Sequence, residues 1–123
     1  MRILFLDDDE SRWQLFWRVN YEGNDISWAK TAQEAKLVLQ AAPRFDFATL
    51  DHDLAEEHYE DQAASGGTGQ EVAAFIAAMP EDRRPKRVEL HTYNGTGARA
   101  MRAILWEVGV VAPWNPFNAR KIT

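Results

Sequence analysis

The chain has 123 residues, enough for one domain and too few for two. With 46% hydrophobic residues it can build a core, unlike a disordered chain. A formal net charge of −5 argues against the basic stripe of a broad DNA-binding surface, and the absence of Cys excludes disulfides and thiolate zinc sites.

The negative charge still allows one small phosphate ester bound beside a metal ion. The opening "MRILFLDDDE" has an apolar run too short for a signal peptide or a membrane helix. The expectation is a single domain over 1–123, soluble and cytoplasmic, with no membrane partner.

Residues 2–6, "RILFL", form a continuous apolar run, as in strands buried on both faces. Asp7-Asp8-Asp9 end it. Trp13, Phe16 and Trp17 follow at helical spacing, and that helix fades near Gly23. "DISWA" (25–29) reads as a second strand. Thr31 and Glu34 make a capping-box pattern ahead of a helix face of Ala35, Val38, Leu39 and Ala42. Pro43 follows, and "RFDFATL" (44–50) reads as strand three.

Residues 55–68 are acidic, then small and Gly-rich, a long connection of the kind that carries function or moves. Val72, Phe75, Ile76 and Met79 stripe a third helix. "RVELH" (87–91) is strand four, and "TYNGTG" is a turn. Met101, Ile104, Leu105 and Val108 mark a fourth helix that ends at Gly109. "VVAPW" (110–114) is a fifth strand, placed at an edge by Pro113. The remaining "NPFNARKIT" is too short for a full fifth helix.

Strands alternating with helices imply right-handed crossovers. The fold expected is α/β, a three-layer sandwich around a five-stranded parallel sheet. Ligands of such sheets bind beyond the carboxyl ends of the strands. Asp7-Asp8-Asp9, Asp51-His52-Asp53 and His91-Thr92 all fall at such ends.

Asp7, Asp8 and Asp51 at one rim repel each other unless protons or a metal compensate, and oxygen donors suit Mg²⁺ or Mn²⁺. The alternative is that each Asp caps the helix that follows. His52 and His91 at the same rim suit a general acid and a general base, a pair of metal ligands, or two structural histidines. Strand alternation makes neighbours 51 and 52 point apart unless the strand has already ended. Thr92 and Asn94 can hold a phosphoryl oxygen or simply make a turn. Arg12 pairs with the acids or clamps a phosphate. Trp114 is the candidate for base stacking.

"RILFLDDDE" resembles the first strand and acidic pair of a response-regulator receiver domain, and "FATLDHDL" resembles its phosphoacceptor strand. "WNPF" resembles the closing Lys-Pro-Phe motif, with Asn115 in place of the Lys. The resemblance implies a sheet of order 2-1-3-4-5, a missing or vestigial last helix, and Mg²⁺ held by Asp7 or Asp8, Asp51 and the backbone carbonyl of Asp53. "LDHDL" with "HTYN" is similar to the cyclic-phosphate-processing receiver-like family.

That resemblance implies a metal-dependent phosphoesterase acting on a cyclic phosphate: a nucleotide 2′,3′-cyclic phosphate, an RNA end or a cyclic nucleotide. Asp51, His52 and His91 would be catalytic. Asp7, Asp8, Asp51 and Asp53 would hold the metal. Thr92, Asn94, Arg12 and Asn115 would bind substrate. The alternatives are a signalling module phosphorylated on Asp51 and a binder without chemistry.

Overall fold

The computed structural model describes residues 1–41, 43–54 and 68–123. Ala42 and nearly all of the acidic loop expected over 55–68 lie outside the described residues. The elements are β1 (Arg2–Leu6), α1 (Glu10–Asn20), β2 (Asp25–Ala29), α2 (Ala32–Ala41), β3 (Phe47–Leu50), α3 (Gly69–Ala78), β4 (Arg87–Leu90) and α4 (Gly95–Trp106). Among the described residues no helix is long and apolar enough to cross a membrane.

The sheet is parallel, in the order β2-β1-β3-β4. Ile3, Leu4, Phe5 and Leu6 of the central strand are fully buried. Burying each such side chain is worth about 1.5–3 kcal/mol, so β1 anchors both layers. Leu4 and Leu6 join the core under α2, α3 and α4. Ile3 and Phe5 face the other way, against Phe16 of α1 and Ile122.

The five-stranded expectation is corrected to four strands among the described residues. The segment expected as strand five makes only an isolated parallel bridge, Leu90 to Trp114. Leu90 N donates to Pro113 O at 2.9 Å, and Asn115 N donates to Leu90 O at 2.8 Å. The ladder would continue from Thr92 N to Asn115 O and then from Phe117 N to Thr92 O. That carbonyl instead accepts from Trp114 Nε1 at 2.8 Å, and Phe117 N takes His91 O at 2.8 Å. Pro113 and Pro116 also carry no backbone donor. The pairing therefore begins and cannot propagate.

Among the described residues no fifth helix follows. The tail crosses the α1 face instead, with Phe117 and Ile122 packed against Ile3, Phe5 and Phe16. Asn20, buried at the end of α1, fastens it. Its amide donates to Arg120 O at 3.1 Å and to Phe16 O at 3.1 Å, and its Oδ1 accepts from Ile122 N at 2.7 Å. Trp17, expected on the apolar face of the first helix, lies outside and stacks on Tyr21 at 4.6 Å.

Asn20→Ala would leave the Ile122 N–H and the Arg120 carbonyl without the side chain that now partners them. The cost expected is about 1–3 kcal/mol in urea unfolding, with faster hydrogen exchange at Ile122. An unchanged midpoint and an unchanged Ile122 amide would contradict the clasp.

Candidate active site

The backbone ladder runs one residue beyond each inner strand. Asp7 N bonds Ala29 O at 3.0 Å, Asp51 N bonds Leu6 O at 3.0 Å, and His91 N bonds Leu50 O at 2.9 Å. Because Leu6, Leu50 and Leu90 are in register, Asp7, Asp51 and His91 form the next row across the sheet. They share strand parity with Phe5 and Thr49, so all three side chains emerge on the α1 side. One ligand atom from each lies within 4.8 Å of the others.

Asp7 has no exposed surface. Its Oδ2 accepts from His91 Nε2 at 2.8 Å and from Arg12 Nε at 2.8 Å, while Oδ1 accepts from Arg12 Nη2 at 3.0 Å and Asp9 N at 2.9 Å. Because Asp7 is a carboxylate, Nε2 must carry the proton in this contact. The other ring nitrogen, Nδ1, is 2.8 Å from Thr49 Oγ1. The ring stacks on Phe5, centroids 4.9 Å apart, with Phe117 edge-on at 5.8 Å. His91 is therefore buried, occupied on both nitrogens and stacked on one face.

His52 goes elsewhere. His52 N donates back to Asp51 Oδ1 at 2.8 Å, which ends the strand, and the ring turns toward α4. Nδ1 lies 2.8 Å from Asp53 Oδ1 and 3.4 Å from Asn94 Nδ2, and Asn94 also reaches Asp53 at 3.2 Å. The ring rests on Gly97, where an added Cβ would stand 2.5 Å from the imidazole. The two histidines expected to act together thus belong to two separate clusters.

Asn94 caps α4 by accepting from Gly97 N at 2.9 Å, and Thr92 Oγ1 accepts from Asn94 N at 3.0 Å. The turn reading holds for this segment, a cap whose amide also faces the His52–Asp53 pair. Asp9 is a plain cap of α1, accepting from Arg12 N at 3.0 Å. Asn115 is not brought to the rim. Its amide donates to Glu89 Oε2 at 2.6 Å, beside Arg120 on the same oxygen. Trp114 is half-buried, its ring against Gly95. Sequence reasoning missed Thr49 and Gly97. Thr49 shares parity with Asp51, and Gly97 follows "NGT", but neither signal names a partner.

The carboxylates separate electrostatically. Burial pushes Asp7 up, yet the hydrogen bonds from His91 and Arg12 outweigh it and hold the group below its ordinary range. Burial and then the charge of Asp7 push Asp51 up to about 6. Burial likewise raises Asp8, with the neighbouring Asp7 and Asp9 charges adding to it. Hydrogen bonding to Asp7 raises Arg12 further above its already high value.

This donor set fits a hard divalent cation in part. Among the described residues Asp51 Oδ2 has one long contact, 3.6 Å to Arg12, and Asp8, next to Asp7 in sequence, is an acid of raised proton affinity. Asp7, with four donors around two oxygens, has no lone pair left for an ion while Arg12 stays in place.

A model of the cyclic-phosphate processing receiver domain matches residues 2–107. Several solved structures share the fold. A CheY-like response regulator receiver domain protein from Methanospirillum hungatei is 21% identical, with a TM-score of 0.62, over 96% of this chain and 83% of that one. The non-phosphorylated HemR receiver domain from Leptospira biflexa is 26% identical, with a TM-score of 0.65, over 95% and 83%. A response regulator from Burkholderia pseudomallei, solved with a phosphorylated aspartic acid, calcium and citrate, is 22% identical, with a TM-score of 0.62, over 96% and 61%. No curated protein sequence matches the chain. The architecture is thus the α/β receiver fold with a parallel sheet, with four strands here.

The raised Asp51 carboxyl carries a stability signature. Its folded value, about 6, exceeds the ordinary 3.8, so the folded state binds the extra proton between those limits. Stability contributed by Asp51 therefore falls as pH rises from about 4 to 6 and stays low above that. Asp51→Asn removes this cost. It is expected to raise stability at pH 7–8 by up to about 3 kcal/mol, a gain that shrinks toward pH 4. Thermal melts across that range check it, and a variant less stable than wild type at pH 8 would contradict it.

Proposed function

The chain belongs to the cyclic-phosphate processing receiver domain family, and from that premise we propose that it is a metal-dependent phosphoesterase that opens a cyclic phosphate. The observation that carries the reading is the His52 Nδ1–Asp53 contact of 2.8 Å, with the Asn94 amide beside it, at a strand end next to Asp51. A carboxylate on Nδ1 fixes the tautomer and leaves Nε2 to exchange protons. A receiver that only accepts a phosphoryl group on Asp51 has no use for such a dyad.

Bound through Asp7, Asp8, Asp51 and the Asp53 carbonyl once Arg12 has turned away, a divalent ion such as Mg²⁺ or Mn²⁺ would neutralise charge on the phosphate. The rest falls to the chain. His91 is enclosed, so it positions Asp7 and moves no proton at the rim. One open histidine can serve both halves of the reaction if there are two steps. In the first, Asp51 Oδ2 attacks phosphorus, the ring P–O bond breaks, and the leaving ribose oxygen takes the proton carried by His52. In the second, water gives a proton to His52 and attacks phosphorus. The Asp51–phosphorus bond then breaks, the carboxylate is regenerated and a phosphomonoester departs. The Asn94 amide and the free backbone N–H groups at the start of α4 would hold a non-bridging oxygen.

A second reading draws on the fold itself, which is shared with a response regulator carrying a phosphorylated aspartic acid. In it Asp51 would be phosphorylated for signalling. Asn115, directed to Glu89, weakens that reading because no side chain from its position reaches Asp51.

The test is a panel of 2′,3′-cyclic nucleotides, RNA ends, 3′,5′-cyclic nucleotides and cyclic oligonucleotides with Mg²⁺ or Mn²⁺. His52→Ala and Asp51→Asn are each expected to lower turnover by about 10²–10⁴. His91→Asn, acting only through Asp7, should cost less. No turnover by wild type, or full activity in His52→Ala, sinks the enzyme reading. An Asp51-dependent change with acetyl phosphate would then support the signalling one.

A further inference from the structure

Arg12 is the cation at the centre of the acidic row. Nε and Nη2 form a fork on Asp7, at 2.8 and 3.0 Å. Nη2 also stands 3.6 Å from Asp51 Oδ2, and Nη1 stands 3.6 Å from Asp9 Oδ2. One guanidinium therefore touches three carboxylates, two of them buried. A carboxylate offers about four acceptor positions, and Arg12 takes two of those on Asp7. Asp9 N and His91 Nε2 take the others.

The contacts of His91 and Asp9 are built into the fold. Asp9 N belongs to the cap that starts α1, and His91 is clamped by Phe5, Phe117 and Thr49. Arg12 differs, because its side chain is partly exposed at the helix surface and is free to turn outward. It is the one partner of Asp7 that can leave without breaking a strand or a cap.

We propose that Arg12 is a built-in counter-cation that competes with a divalent ion for Asp7, and that an arriving ion displaces its guanidinium onto the phosphate of the substrate. The proposal rests on the metal-dependent reading above. Its physical basis is that two buried carboxylates within reach of each other need a cation, and a guanidinium and a metal cannot both use the same lone pairs. Once released, the fork matches two phosphate oxygens as well as it matched two carboxylate oxygens.

The test uses the whole chain and needs no turnover. Mn²⁺ binding is measured by calorimetry, and the loss of the free Mn²⁺ resonance is followed in parallel. Arg12→Met keeps the stem and removes the charge, and it is expected to bind Mn²⁺ about tenfold more tightly than wild type. Arg12→Lys keeps the charge and loses the fork, so it should fall between the two. In the presence of Mn²⁺, inorganic phosphate should bind more weakly to Arg12→Met than to wild type. Equal or weaker Mn²⁺ binding by Arg12→Met, or no Mn²⁺ binding by either protein, overturns the proposal. If Arg12→Met does not fold, Arg12→Lys decides, and affinity no tighter than wild type overturns it. Tighter Mn²⁺ binding with no turnover of any cyclic phosphate removes the enzyme reading and leaves this one standing. Turnover without tighter binding does the reverse.

Discussion

A carboxylate closed off from water must find a donor for each of its lone pairs, and Asp7 finds four. Two are part of the fold: the cap amide of Asp9 and the imidazole of His91. Two come from the fork of Arg12. Leaving such a charge half-matched would cost several kcal/mol. That constraint orders much of the rim. It sets the tautomer of His91, draws α1 against the end of β1, and fixes the sign of the field felt by Asp51. Asp51 then carries the opposite burden: burial and the Asp7 charge raise its proton affinity, and among the described residues no side-chain donor comes closer than Arg12 at 3.6 Å. One carboxylate is held ionised by its partners and its neighbour is loosened, an arrangement common where acids share a reactive site.

The division of the two histidines follows from strand geometry. His91 continues the parity of Glu89 and so enters the layer beneath α1. His52 comes one residue after Asp51, at the point where the Asp51 side chain bonds the next amide and ends the extended backbone. It turns toward α4, where only a glycine at 97 leaves room for its ring. The same row of strand ends thus produces a buried positioning cluster and an open dyad.

Much of this was legible in the sequence, and the misses have physical causes. Three strand segments ending in polar residues, at Asp7, Asp51 and His91, located the rim, because strands buried on both faces of a parallel sheet leave a clear signal. The fifth run looked equally apolar, but "VVAPW" pairs only at Leu90, since an indole takes the carbonyl that the ladder needs next. Asn115 stood at the right place in the chain and faces Glu89, which no local pattern announces. The clasp of Asn20 on the tail joins residues about a hundred apart, beyond any periodicity. The two histidines share the rim but not a cluster, because His91 follows its strand's parity toward α1 whereas His52, one residue past Asp51, turns toward α4.

A crystal structure with Mg²⁺ and a phosphate analogue bound would test the central claim most directly. The account predicts that the Asp7–His91 contact survives, that the ion lies on Asp7, Asp8, Asp51 and the Asp53 carbonyl, and that the Arg12 fork has left Asp7 for the phosphate with His52 facing the leaving oxygen. An ion seated between Asp7, Asp51 and His91, ligated by the imidazole and with Arg12 unmoved, would contradict it.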